Sequence, residues 1–161
     1  MILGFDLDGC ICNQDSTQLQ IMHELKLETE KILEPIYYSE RELLLDPRKF
    51  LHDGDEYHII TGRHEGLKTV TENWVKKWCP EAKTLNVCGG RPWYDFEKRP
   101  GENNVECWQR WFCVAIQNKV ELIKNLGIEV YFDDSPSGVS QLRAALPDVK
   151  FIRYAGRVGK T

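Results

Sequence analysis

Five short apolar runs, Ile2–Phe5, Tyr57–Ile60, Leu85–Cys88, Val130–Phe132 and Lys150–Ile152, alternate with longer amphipathic stretches along the chain. Strands of that length separated by helical periodicity form βαβ units, and strands joined through helices pair in parallel. The predicted fold is therefore α/β, a Rossmann-like doubly wound parallel sheet of about five strands with at most a small cap or lid. The length of 161 residues suits one such domain, so residues 1–161 are read as a single unit.

The connections carry their own signals. Leu67, Val70, Trp74, Val75 and Trp78 recur at helical spacing before Pro80 stops the pattern. Val120–Leu126 reads as a helix capped by Gly127, and Pro136, Val139, Leu142 and Leu146 describe another. Ser39 with Glu42 matches a capping box and Asp46-Pro47 a helix start, so short helices are expected across Ser39–His52. Two stretches exceed a bare crossover, 10–55 and 89–113, and are read as small cap or flap elements. Within the second, Gly89–Val105 is rich in Gly, Pro and Asn yet carries Trp93, Tyr94 and Phe96, as a lid would.

Charge excludes some partners. With 21 basic against 25 acidic residues the net charge is −4, which gives no overall pull toward nucleic-acid phosphates or anionic membranes. No apolar run is long enough to span a bilayer, and carboxylates appear too early for a signal peptide, so a cytoplasmic location is expected. The six cysteines (Cys10, Cys12, Cys79, Cys88, Cys107 and Cys113) lack a C-x-x-C pair and are expected to be free thiols, most of them in the core.

In a parallel sheet, functional groups gather beyond the carboxyl ends of the strands. The residues at those junctions are Asp6-Leu7-Asp8-Gly9, Thr61-Gly62-Arg63, Cys88-Gly89-Gly90 and Asp133-Asp134-Ser135. Asp is common at turns and caps, but two acidic pairs placed after strands of one sheet point to a site. Carboxylates converging on one rim repel, and a hard cation relieves them; Mg²⁺, which takes oxygen ligands and phosphate, is the expected cofactor.

These segments resemble the haloacid dehalogenase-like (HAD) superfamily, whose four motifs match Ile2-Leu3-Gly4-Phe5-Asp6-Leu7-Asp8-Gly9, Ile59-Ile60-Thr61-Gly62-Arg63, Lys119 and Phe132-Asp133-Asp134. The resemblance implies a small-capped or capless, Mg²⁺-dependent phosphomonoester hydrolase. Asp6 would form an aspartyl-phosphate, Asp8 would act as general acid and base, and Thr61 with neighbouring N–H groups would hold the phosphoryl oxygens. Lys119, preferred over Lys98 and Lys124 because it opens the helix before the fourth strand, would counter the developing charge. The metal would take Asp6, the Asp8 carbonyl and Asp133, with Asp134 orienting a metal-bound water or the lysine. Gly62, Arg63 and Lys119 are expected at the substrate phosphate, and Trp93 and Tyr94 at the remainder of the substrate. Cys10 departs from the Thr or Val common at its position, while Asp8 argues for phosphoryl rather than carbon–halogen chemistry.

The expected partner is a phosphorylated small molecule, with a nucleotide preferred over a nucleic-acid end. Arg91, Trp93, Tyr94, Phe96, Trp108, Trp111 and Phe112 suggest base stacking, although the three- and four-residue spacing of Trp108, Trp111 and Phe112 reads more readily as a helix face in the core. His64 is expected to cap or to be solvated, and His23, His52 and His58 form no metal pair at helical spacing. The basic ending Arg153–Lys160 is read as solvated, and Gly156–Thr161 fails as a phosphate loop because Tyr154 stands where glycine is required. A phosphotransferase, a non-catalytic phosphate- or metal-binding module of the same fold, and a zinc-binding protein using Cys10, Cys12 and histidines are the alternatives.

Overall fold

The computed structural model describes residues 1–154; the Gly156–Thr161 ending lies outside the described residues, as does Arg153–Lys160 beyond Tyr154. The chain forms β1 (Ile2–Phe5), α1 (Ser16–Glu24), α2 (Leu27–Ser39), β2 (Glu56–Thr61), α3 (Lys68–Trp78), β3 (Thr84–Val87), α4 (Asn104–Asn125), β4 (Val130–Asp133), α5 (Pro136–Ala145) and β5 (Lys150–Arg153). All strand pairs are parallel, in the order β3-β2-β1-β4-β5. The doubly wound sheet expected from the apolar runs is present, and each expected strand lies within a residue of the observed one at either end.

Alternation along the strands divides the core in two. Phe5, Tyr57, Ile59 and Phe132 face one side with Trp74 and Val75 of α3. Ile60 and Tyr131 face the other with Ile116 and Ile123 of α4, Leu142 of α5 and Phe151 of β5. Phe5 stacks on Phe132 with centroids 4.5 Å apart, which fixes β1 against β4. Burial of apolar area on both faces makes the central strands nearly continuous in hydrophobicity.

Three local expectations are corrected. Short helices were expected across Ser39–His52, but the helices here are Ser16–Glu24 and Leu27–Ser39, and only a 3₁₀ turn, Pro47–Phe50, follows. Ser39 ends α2 rather than starting a helix, and its Oγ donates to the Ile36 carbonyl, 2.7 Å away. Asp46 does cap, accepting from Arg48 N at 3.1 Å, yet sustains a single turn. The helix read at Val120–Leu126 is the end of a much longer one, started at Asn103, whose side chain accepts from Glu106 N at 2.8 Å. Lys119 therefore sits deep inside α4 and does not open it.

The pair α1–α2 lies between β1 and β2 in the stretch expected as a cap, and α2 packs on α3. The 89–103 segment, expected as a flap, carries a 3₁₀ turn, Trp93–Asp95, against α4. Among the described residues, no helix is long and apolar enough to cross a membrane.

Candidate active site

The sheet order reverses direction at β1, because the chain runs outward through β2 and β3 and returns to place β4 on the other side. The crevice at such a switch point lies beyond the carboxyl ends of β1 and β4. Asp6 follows β1 and Asp133 ends β4, and Asp6 N donates to the Phe132 carbonyl at 2.8 Å. Two acidic side chains are thus locked side by side by backbone pairing.

Lys119 reaches into this crevice from α4. Its Nζ donates to Asp6 Oδ1 at 2.8 Å and to Asp133 Oδ2 at 3.3 Å. Asp6, Asp133 and Lys119 are all buried. Asp133 Oδ1 accepts from Ser135 N at 2.9 Å, at the start of α5. Carboxylate oxygens of Asp6, Asp133 and Asp134 all lie within 4.8 Å of one another. Burial, reinforced by the charge of Asp133, pushes the Asp6 carboxyl well above its ordinary range, with Lys119 opposing the shift. Burial also raises Asp134. Desolvation works against the Lys119 charge, but Asp6 and the other surrounding groups outweigh it and hold the ammonium well above its ordinary value.

Asp8 faces the same cavity, and its carboxylate is clamped by Arg63. Nε donates to Oδ2 at 2.8 Å and Nη2 to Oδ1 at 2.6 Å, a bidentate fork. Arg63 Nη1 donates to Thr71 Oγ1 at 3.0 Å, and its guanidinium lies 4.1 Å from the Tyr38 ring centroid on the cap helix α2. Arg63, expected at the substrate phosphate, borders the cavity but is itself buried, with its donors on Asp8, Thr71 and the Cys12 sulfur.

Thr61 is buried at the end of β2, its Oγ1 accepting from Arg63 N at 3.2 Å. Gly62 leads the turn beside the Lys119 side chain. Gly89 closes the flap onto this turn; a Cβ there would lie 2.3 Å from the Gly62 carbonyl oxygen and 2.5 Å from that of Arg63. Gly9 adopts a φ of +76°, and a Cβ there would sit 2.2 Å from Asp134 Oδ2. Gly9 lets its loop approach Asp134, and Gly89 lets the flap approach the 61–63 turn, more closely than any side chain would allow.

These groups line one cavity of about 340 Å³. Asp6, Asp8, Thr61, Gly62, Arg63, Lys119, Asp133 and Asp134 all border it, as does Trp93. Tyr94 does not; it packs edge-on against His64 and under Lys31, and with Trp93 lines an adjoining pocket. Sequence reasoning missed the cap's contribution, including His23, Glu34 and Tyr38, and set aside Trp108, Trp111 and Phe112 as core. His64 caps as expected, its Nδ1 accepting from Gly66 N at 3.1 Å, but it also borders the cavity and hydrogen-bonds Glu34 of α2. None of the six cysteines is paired, and only Cys113 is exposed.

No protein-family model and no curated protein matches the sequence. Among solved structures, the chain is similar to a HAD-superfamily hydrolase, subfamily IA, variant 1, from Geobacter sulfurreducens. The TM-score is 0.52 at 10% identity, over 98% of this chain and 88% of that one. It is also similar to the HAD domain of effector protein Lem4 from Legionella pneumophila, an inactive mutant, with a TM-score of 0.45 at 14% identity over 99% of this chain and 87% of that one. The parallel sheet with its helical flanks thus has the fold of the HAD-superfamily hydrolases.

Proposed function

We propose that this chain is a HAD-type phosphomonoester hydrolase that works through an aspartyl-phosphate on Asp6 and requires Mg²⁺. The observation that carries the reading is the contact of Lys119 with both Asp6 and Asp133 in a cavity that Asp8 also lines. Three carboxylates gather there around an ammonium bonded to two of them, Asp6 and Asp133, an excess of negative charge with hard oxygen donors, which suits Mg²⁺. Asp6, Asp133 and Asp134 would hold it, together with the Asp8 carbonyl, and when bound it would supply positive charge to the phosphoryl oxygens.

In the first half-reaction an Asp6 oxygen forms a bond to phosphorus as the ester P–O bond breaks, and Asp8 delivers a proton to the leaving oxygen. In the second, Asp8 takes a proton from water, whose oxygen attacks phosphorus as the Asp6–P bond breaks and free phosphate departs. Proton uptake by Asp8 frees one of its two Arg63 bonds, so Arg63 orients the carboxylate without itself reacting. Lys119 neutralises charge on Asp6 and on the transferring group, and Thr61 with the N–H groups of the 61–63 turn would receive phosphoryl oxygens. The partner is a phosphorylated small molecule. A cytoplasmic setting fits the six unpaired thiols.

Phosphate release from a panel of sugar phosphates and nucleoside monophosphates tests the proposal, with Mg²⁺ or chelator, in wild type and Asp6→Asn. Metal-dependent release that Asp6→Asn abolishes is the expected result. Release that survives Asp6→Asn, or none from any substrate by a folded, Mg²⁺-loaded protein, rejects it.

A further inference from the structure

Besides Tyr38 of α2, the aromatic side chains that border the cavity are Trp93 from the flap and Trp108, Trp111 and Phe112 from α4. Trp108 and Trp111 belong to neither face of the core. Trp108 is 43% exposed, whereas Trp74, a core tryptophan, is 3% exposed. Trp108 and Phe112 stack in near-parallel planes, 14° apart with centroids at 5.3 Å, so each ring fixes the plane of the other. Trp111 is pinned by its Nε1, which donates to the Arg91 carbonyl at 2.7 Å and ties α4 to the flap. This wall is preorganised, and its polar anchor has already been used within the protein.

The wall has a fixed relation to the phosphate end of the cavity. Trp111, Ala115 and Lys119 follow one another at four-residue intervals, so they share one stripe of α4. With a rise of 1.5 Å per residue, Trp111 and Lys119 are separated by roughly 12 Å along the helix. A phosphoryl group beside Lys119 therefore needs a spacer before a ring can reach the aromatic surface, and a sugar supplies one. The cavity is also lined by Gln14, His23 and Glu34 from the cap segment, which offer hydrogen-bonding groups to a ring's edge.

We propose that this wall selects phosphomonoesters whose alcohol portion carries a flat heteroaromatic ring on a sugar spacer, that is, nucleoside monophosphates, with the ring on the Trp93, Trp108, Trp111 and Phe112 surface. The proposal rests on the phosphatase reading for the position of the phosphoryl group. It departs from the sequence expectation for Trp108 and Trp111, which border the cavity and pack on neither core cluster, whereas Phe112 borders the cavity and also packs against the core, as its spacing suggested.

Equilibrium binding of AMP and of ribose 5-phosphate to Asp6→Asn in Mg²⁺, measured by calorimetry, tests it without turnover. Stacking on aromatic side chains is sufficient for about a tenfold preference for AMP. Adding Trp108→Leu, at a partly exposed position, or Trp93→Leu, on a different element, is expected to bring the two ligands within about threefold. Equal binding of AMP and ribose 5-phosphate, or a preference unchanged in both tryptophan variants, overturns the proposal. Loss of hydrolysis in wild type would instead reject the phosphatase reading, and the binding ratio distinguishes the two failures.

Discussion

Replacing Lys119 by Met removes the ammonium that Asp6 and Asp133 share while keeping the volume of the side chain. The two carboxylates are then buried without a cation, since Asp6 is 7% and Asp133 2% exposed. Breaking a buried pair in this way costs about 3–5 kcal/mol. For a chain of this size, that lowers the melting temperature by about 6–20 °C. The loss depends on pH with a definite sign. Asp6 in the folded protein is already raised above its ordinary value by burial and Asp133, so the folded state binds the proton more tightly than the unfolded one. Stability therefore falls as pH rises from the ordinary carboxylate range through the folded value, by up to about 1.4 kcal/mol per pH unit. Without Lys119 that interval extends further upward, so the variant is weaker at pH 8 than at pH 5. Urea denaturation in chelator at both pH values measures this. Adding Asp6→Asn to Lys119→Met should restore part of the stability by removing one uncompensated charge. A Lys119→Met protein within about 1 kcal/mol of wild type at pH 8 would refute the buried-pair reasoning, given the size expected for such a pair.

Three other expectations follow from the site. Arg63→Lys replaces a bidentate fork with a point charge, and kcat should fall about 100-fold with KM nearly unchanged, as for a misplaced general acid or base. Steady-state kinetics that show a raised KM with kcat intact would put Arg63 on the substrate instead. Gly89→Ala drives a Cβ against two backbone oxygens and should destabilise the fold by about 1–3 kcal/mol in urea titration while lowering activity, because the 61–63 turn must move. Mg²⁺ affinity measured by calorimetry should fall as pH falls, by up to about tenfold per pH unit for each proton displaced, because Asp6 and Asp134 are raised and compete for protons.

How much of this was legible in the sequence varied with the kind of signal. The strands were, because a buried parallel strand is an uninterrupted apolar run, and β1 is found at Ile2–Phe5 as read. Helix α3 was, because its apolar stripe is regular and Pro80 ends it. The cap helices were not. Ile21, Ile32 and Ile36 are exposed on them, which blurs the apolar face, and Pro35 lies inside α2 where it reads as a breaker. Asp15, whose side chain accepts from Gln18 N at 2.9 Å, was the usable signal for α1. In the site, the acidic residues were legible from their places after strands, whereas the Arg63–Asp8 pair depends on how the 61–63 turn folds toward β1. The aromatic wall was obscured by α4 itself: spacing identifies a helical face but does not say whether that face meets core or cavity.

The most direct measurement is acid-quenched trapping of the phosphorylated protein, using Asp8→Asn to slow hydrolysis of the intermediate, followed by peptide mapping. Covalent phosphate on the peptide that contains Asp6, absent when Asp6→Asn is added, is the expected result. Turnover by wild type with no trapped phosphate, or phosphate on another residue, would contradict nucleophilic attack by Asp6.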